Sequence, residues 1–270
     1  MNILDQIIVH KKKEVEENKS MFPVKRLEQS VYFDTPVVSM RKYILRADKS
    51  GIIAEFKRRS PSKGDINVHA SIERVSIGYM QAGASALSVL TDKQFFGGSN
   101  EDLQIARKFN YCPILRKDFV IDEYQILEAK SIGADVILLI AAVLEKEEVK
   151  KLTGFAHSLG LEVLVEVHNR EELEKIMDAR ADLIGVNNRN LKTFEVSIEI
   201  SKELAPLMPD NVVRVSESGL SNPETLMELK KHGYDGFLMG QRFMEYGRPE
   251  EACLKFIEKY NRLKSEKVVG

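Results

Sequence analysis

Five short apolar runs in this 270-residue sequence end on polar residues that share a face with the residue two places earlier. In Ile53-Ala54-Glu55-Phe56-Lys57, the alternation of an extended chain puts Ile53, Glu55 and Lys57 on one side. Lys117 falls on the face of Leu115, Glu166 on that of Leu164, Asn187 on that of Gly185 and Glu217 on that of Val215. If these ends meet, they gather two lysines, three glutamates and one amide. Lys57 alone, within Lys57-Arg58-Arg59, reads as a solvated basic turn. Charges are rarely buried without partners, so a rim that collects both signs reads as a functional site. Its chemistry would be proton transfer, because a positioned ammonium can neutralise or protonate an oxygen that gains charge. Neighbouring glutamates favour the charged form of such a lysine and burial disfavours it; the sequence leaves that balance open.

What positions these residues is legible in the alternation of elements. Apolar runs at 52–55, 86–91, 113–115, 136–140, 162–166, 183–186, 212–216 and 236–239 are too short for helices, and several are rich in Val and Ile. They read as strands buried on both faces. Charged amphipathic stretches such as 122–132, 146–158, 171–179 and 224–232 read as helices between them. Gly83-Ala84, Gly133-Ala134 and Gly233-Tyr234 supply glycine where a helix hands over to the next strand. This is the pattern of parallel βαβ units, and eight of them over residues 51–270 fit an α/β fold of the (β/α)₈ TIM-barrel type better than an open sheet. Residues 1–50 differ. Ile3, Ile7, Ile8 and Val15 recur at helical spacing over 3–19, Pro23 and Pro36 interrupt, and 39–47 reads as a second short helix. A helix of that length is marginal alone, so this N-terminal helical extension is expected to dock across or beside the barrel mouth, within a single domain overall.

In such a barrel, chemistry sits at the C-terminal ends of the strands, where the six polar residues would converge. The seventh strand runs into Ser216-Glu217-Ser218-Gly219, and the eighth ends at Met239-Gly240 before a short segment, 241–245, that can form an extra helix. Loops at these two places, with the helix N-terminus, form the recurring phosphate site of barrels.

Composition closes off other classes. The net charge is -1 from 40 basic and 41 acidic residues, so no global field recruits nucleic acid. The strongest apolar run, 136–144, is far below the roughly 20 residues that span a bilayer. The first fifteen residues mix Asp5 and Glu14 with Lys11, Lys12 and Lys13 and show no apolar signal core, so a cytoplasmic chain is expected. Cys112 and Cys253 are far apart and read as small packing groups. Glu166 and His168 lie two apart on one strand but lack a third convergent ligand, so no metal site is read.

Several stretches stand out together: Ile53-Ala54-Glu55-Phe56-Lys57-Arg58-Arg59-Ser60-Pro61-Ser62-Lys63-Gly64, Ser88-Val89-Leu90-Thr91-Asp92 with Phe96-Gly97-Gly98-Ser99, and Leu115-Arg116-Lys117-Asp118-Phe119. Leu164-Val165-Glu166-Val167-His168, Gly185-Val186-Asn187-Asn188-Arg189-Asn190-Leu191 and Ser216-Glu217-Ser218-Gly219 complete the set. Together they resemble the indole-3-glycerol phosphate synthase family of tryptophan biosynthesis, and the opening Ile3-Leu4-Asp5-Gln6-Ile7 is similar to that family's extension. The resemblance spans essentially the whole chain.

It implies a carboxy-lyase that closes a ring, releases carbon dioxide and dehydrates 1-(2-carboxyphenylamino)-1-deoxyribulose 5-phosphate to indole-3-glycerol phosphate. By motif match, Lys117 would be the general acid at ring closure and Glu166 the acid/base group of the later dehydration. Glu55 would assist both, Asn187 and Glu217 would hold the hydroxyl and amine region, and Lys57 would pair with substrate anions near Ser60. The match puts Pro61, Phe96, Phe119 and Leu138 around the aromatic ring, Ser218, Gly219 and Gly240 near the phosphate, and Arg189 as a further polar member. Ring closure leaves an iminium that accepts the electrons released with carbon dioxide, so no cofactor is implied. One departure stands out: the family commonly has a small residue just after the eighth strand, where this chain reads Gly240-Gln241-Arg242, so a serine hydroxyl contact is lost; a backbone N–H of Gln241 is expected on the phosphate, and Arg242 either compensates or faces solvent. The expected partner is a small phosphorylated molecule, with a monomeric chain and room for association with pathway neighbours. The alternatives are another phosphate-binding barrel enzyme, such as phosphoribosylanthranilate isomerase, or a non-catalytic barrel that senses a phosphorylated metabolite.

Overall fold

Eight parallel strands pair in sequence order and the first closes on the last: β1 Ile52–Phe56, β2 Ala86–Leu90, β3 Ile114–Lys117, β4 Val136–Ile140, β5 Glu162–Val167, β6 Leu183–Asn187, β7 Val213–Glu217 and β8 Gly236–Met239. The structure is a computed structural model that describes residues 3–190 and 193–266. Leu191, at the end of one family-like stretch, lies outside the described residues, as do residues 267–270. Each run read from the sequence is a strand, with ends that differ by a residue or two. The fold is the (β/α)₈ barrel.

Helices α1 Ile3–Met21, α2 Val24–Glu28 and α3 Met40–Ile44 precede the barrel. Its outer layer comprises α4 Ile72–Gln81, α5 Asn100–Phe109, α6 Glu123–Ser131, α7 Lys146–Ser158, α8 Arg170–Ile176, α9 Glu199–Leu204, α10 Pro223–Lys231, the short α11 Gln241–Met244, and α12 Pro249–Glu266. Side chains of Ser71, Ser99, Asp122, Asn169 and Asn222 accept from the first-turn amides of α4, α5, α6, α8 and α10, which satisfies donors that would otherwise lack partners. Gly133 and Gly233 take φ of 91° and 86° after α6 and α10, the left-handed conformation that ends a helix without a Cβ clash.

Two apolar cores follow from strand parity. Outward residues pack under the helices. Inward residues, among them Ile53, Leu115, Val136, Leu138, Leu164, Val215 and Leu238, fill the barrel itself. Met40 and Ile44 of α3 join that inner cluster. The α3 N-terminus docks on Glu162, at the start of β5, whose carboxylate accepts from the Met40 and Arg41 amides at 2.8 and 3.1 Å and from the Ser39 hydroxyl. The extension therefore divides between both ends of the barrel, rather than gathering at the mouth. α3 plugs the floor, while α1 stands at the mouth, where its Lys11 meets Asp92 and Asp118 beyond β2 and β3. Apolar spacing could show that α3 must be buried, but not at which end. No helix of the described residues is long and apolar enough to cross a membrane.

Candidate active site

The C-terminal strand ends open into a cavity of about 230 Å³. It is lined by Glu55 and Lys57 from β1 and beyond, Lys117 from β3, Glu166 from β5, Asn187 from β6 and Glu217 from β7. Lys117 is the hub: its Nζ lies 2.7 Å from Glu166 Oε2 and 3.1 Å from Glu217 Oε2. Asn187 Nδ2 donates to Glu166 Oε1 at 3.1 Å, and Lys57 Nζ lies 2.7 Å from Glu55 Oε1. The register explains the meeting, because Glu166 is level with Gly185, and Asn187 with Glu217. Two glycines make room. A Cβ on Gly185 would stand 2.2 Å from Glu217 Oε1, and one on Gly240 would stand 2.6 Å from Glu55 Oε1. Gly240, matched by sequence to a phosphate contact, thus also admits an acidic side chain into the site.

Burial works against every charge here, and the neighbours decide each case. Burial disfavours the Lys117 ammonium, but Glu166, Glu217 and Glu55 outweigh it and raise its pKa. Glu166 feels the same burial, yet Lys117 and His168 hold it well below the ordinary carboxylate range. Glu217 ends differently: burial, with Glu166 and Glu55 as like charges, overcomes Lys117 and pushes it up to about 7. The site thus holds a charged acid, a charged base and a carboxyl poised near neutrality.

The walls differ along the cavity. Phe96 and Phe119 form an apolar end, with ring centroids 5.9 Å apart at 39°, and Pro61 and Leu138 line the same space. Asp92 Oδ1 accepts from the Phe95 and Phe96 amides at 2.7 and 3.2 Å, and Asp118 Oδ1 from the Phe119 amide at 2.8 Å, so two buried aspartates shape the loops that carry these rings. Elsewhere Ser60, Ser218, Gly219, Gly240, Gln241 and Arg189 reach the lining. Ser218 and Gly219 take φ of 68° and 72°, and Asn188 Nδ2 donates to the Ser218 carbonyl at 3.0 Å. Arg189 donates its amide to Asn187 Oδ1 at 3.0 Å and a guanidinium N–H to the Phe194 carbonyl at 3.3 Å. All sixteen residues named from the sequence share this one cavity. Among the described residues, no group of three or more His, Cys, Asp or Glu is arranged to hold a metal ion.

The family model described as indole-3-glycerol phosphate synthase matches residues 4–255. The chain belongs to the indole-3-glycerol phosphate synthase family. A relative of that name from Bacteroides thetaiotaomicron is 48% identical over 257 residues, covering 95% of this chain and 98% of its own. One from Campylobacter fetus is 43% identical over 242 residues, covering 90% and 94%. The fold reaches further: a solved thiamine phosphate pyrophosphorylase from Pyrococcus furiosus superposes with a TM-score of 0.59 at 16% identity, over 82% of this chain and 99% of that one. At that identity the likeness is one of fold.

Sequence reasoning did not reach every wall of this indole-3-glycerol phosphate synthase family site. Ile3, Leu4 and Ile7 of α1 line the cavity, because the extension lies over the mouth. The spacing of Ile3 and Ile7 marked a buried face, but not what that face covers, and Leu4 stood outside it. Arg242, which the sequence left between the phosphate and solvent, reaches the lining; it donates to the Ser221 carbonyl at 3.1 Å and stacks on Tyr246. His168 stands behind Glu166 as a charged neighbour, where the sequence offered only an incomplete metal pair.

Proposed function

We propose that the chain converts 1-(2-carboxyphenylamino)-1-deoxyribulose 5-phosphate to indole-3-glycerol phosphate, carbon dioxide and water. The observation that carries this reading is the contact of Lys117 with both Glu166 and Glu217 inside a cavity that is aromatic at one end. The substrate's carboxyphenyl ring packs against the apolar end formed by Phe96 and Phe119 with Pro61 and Leu138, and its phosphate against the Ser218–Gly219 and Gly240–Gln241 segments. Backbone N–H groups and the start of α11 suit an anion there. Lys57 pairs with substrate anions beside Ser60, Asn187 and Glu217 hold the hydroxyl and amine region, and Arg189 adds a polar contact.

As the aromatic carbon attacks the ketone carbon, charge builds on its oxygen. Lys117, kept as an ammonium by its carboxylates, protonates that oxygen. The iminium left by ring closure takes up the electron pair released as carbon dioxide departs. Glu166 then moves the protons needed to expel water, with Glu55 supporting both lysine and glutamate. The same reading has the chain act in the cytoplasm, without a cofactor or nucleic acid, as a monomer that can associate with pathway neighbours. An isomerase that opens an aminosugar phosphate would need a different acid/base set, and a sensor would need none. The test is to add the carboxyphenylamino-deoxyribulose phosphate and follow indole emission, which 0 Trp in the chain leaves nearly free of background. Absence of indole product with folded protein would refute the reading.

A further inference from the structure

His168 follows β5 directly, on the inward parity of Glu166, yet its ring does not line the cavity. It sits 8% exposed between two carboxylates, with Nδ1 3.1 Å from Glu172 Oε2 and Nε2 3.3 Å from Glu166 Oε1. A neutral imidazole has one N–H and one lone pair, so a carboxylate at each nitrogen suits only the doubly protonated ring.

Glu172 is fixed independently of that ring. Its Oε2 accepts from the His168 amide at 2.8 Å, its Oε1 from Asn169 Nδ2 at 3.0 Å, and its own amide donates to Asn169 Oδ1 at 2.8 Å. The first turn of α8 thus holds an anion under His168. On the other side, Glu166 Oε1 already accepts from Asn187, and Oε2 from Lys117. The charged groups facing His168 are Glu166 from β5 and Glu172 from α8; beyond Glu166 stand Lys117 from β3 and Glu217 from β7, with Glu55 of β1 acting on both. The Nε2 contact is ionic rather than an aligned hydrogen bond.

We infer that His168 is a positioning residue for Glu166: anchored by Glu172, it presents a cationic Nε2–H to Oε1 and keeps the acid/base carboxylate ionised and oriented from behind. The inference rests on the role given to Glu166 above. It makes Glu166 the middle of a row of alternating charges, Glu172, His168, Glu166 and Lys117, in which the last member meets substrate. Burial opposes charge on the His168 ring, but Glu166 and Glu172 prevail and push it up to about 10.

Two readouts test this. In the wild type, the His168 ring, followed by NMR and assigned by its absence in His168→Gln, should show no titration step between about pH 5.5 and 8, where an ordinary histidine titrates near 6.5. In His168→Gln, which keeps an amide donor but loses the charge, the acid limb of the kcat profile for indole formation should move up by about one pH unit or more. KM should stay close to wild type, since the ring does not line the cavity. If His168→Gln fails to fold, Glu172→Gln reads the same upward shift with Glu166, Lys117 and His168 intact. A ring that titrates near its ordinary value, or a loss of kcat that is uniform across pH, overturns the inference. A folded wild type that forms no indole product overturns the reaction reading and the role of His168 with it, whereas normal turnover with a neutral ring overturns His168 alone.

Discussion

Two lysines of this molecule pack against carboxylates, and their surroundings differ. Lys117 Nζ meets Glu166 and Glu217 with 13% of its side chain exposed to the cavity. Lys11 of α1 is fully buried, 2.7 Å from Glu14, 2.9 Å from Asp118 and 3.1 Å from Asp92, and it does not line the cavity. The end of β3 serves both clusters: Lys117 points inward, while Arg116 and Asp118 on either side of it take the other parity. Around Lys11, Asp118 is held ionised: burial would lift it, but Lys11 and Arg116 overcome burial and bring it down to about 2. Around Lys117 the balance goes the other way at Glu217, where burial and the like charges of Glu166 and Glu55 overcome Lys117 and push it up to about 7. A buried carboxylate held ionised by two cations is a clamp; a carboxyl raised toward neutrality beside a cavity is a place for proton transfer.

The largest effect should come from emptying the reactive cluster. Lys117→Met removes the proposed acid, so kcat for indole formation should fall by at least about 10²-fold, the low end for general acid catalysis. The circular dichroism of the fold should be unchanged, and substrate should still bind, since the ring and phosphate ends of the cavity are intact. Turnover at the wild-type rate would put the acid elsewhere. Glu166→Gln probes the same cluster one step later. It keeps shape and some hydrogen bonding but loses the proton acceptor. In a single turnover it should release carbon dioxide near the wild-type rate and form indole product with a lag of about tenfold or more. Equal loss of both products would assign Glu166 to ring closure.

The two clusters were not equally legible. Period-two alternation assigns each polar strand end its face, so Glu55, Lys117, Glu166, Asn187 and Glu217 fall on one rim from the sequence alone. The barrel was legible for the same reason, since short runs buried on both faces leave little room for helices. Lys11 was invisible: it stands in Lys11-Lys12-Lys13, and only docking against Asp92 and Asp118, far along the chain, makes it the one drawn inside. The glycine at 240 had a role from motif match, yet its closeness to Glu55 depends on β8 lying beside β1. Which end of the barrel α3 closes depends likewise on Glu162, a residue that sequence pattern marks only as the start of a strand.

Lys11→Met should therefore break the molecule differently from Lys117→Met. It leaves Asp92 and Asp118 buried without their shared cation, a change of the kind that costs about 3–5 kcal/mol. The urea midpoint should drop accordingly. At temperatures where the variant remains folded, kcat should fall by less than in Lys117→Met, because no proposed proton donor or acceptor is removed. A variant that is as stable as wild type but inactive would reverse the comparison and make Lys11 part of the chemistry.

The smallest effects, and the ones that sharpen the contrast, lie in how stability depends on pH. Asp118 is held at about 2, below its ordinary 3.8, so its contribution is complete above about pH 4 and is lost as pH falls toward 2. Glu217 is raised from 4.5 to about 7, so the folded state holds its proton more tightly than the unfolded chain does. Its contribution is complete below about pH 4.5 and is lost as pH rises to 7. Between those two values the wild type should lose stability on the order of 1–3 kcal/mol through Glu217, while Asp118 contributes a constant amount. Glu217→Gln cannot titrate, so its urea midpoints at about pH 5 and pH 7.5 should lie closer together than those of the wild type. Asp118→Asn should leave that difference unchanged and instead remove part of the loss below pH 4. If Glu217→Gln kept the full wild-type difference, the raised carboxyl would not be Glu217, and the contrast between the two clusters would have to rest on Lys117 facing the cavity while Lys11 does not.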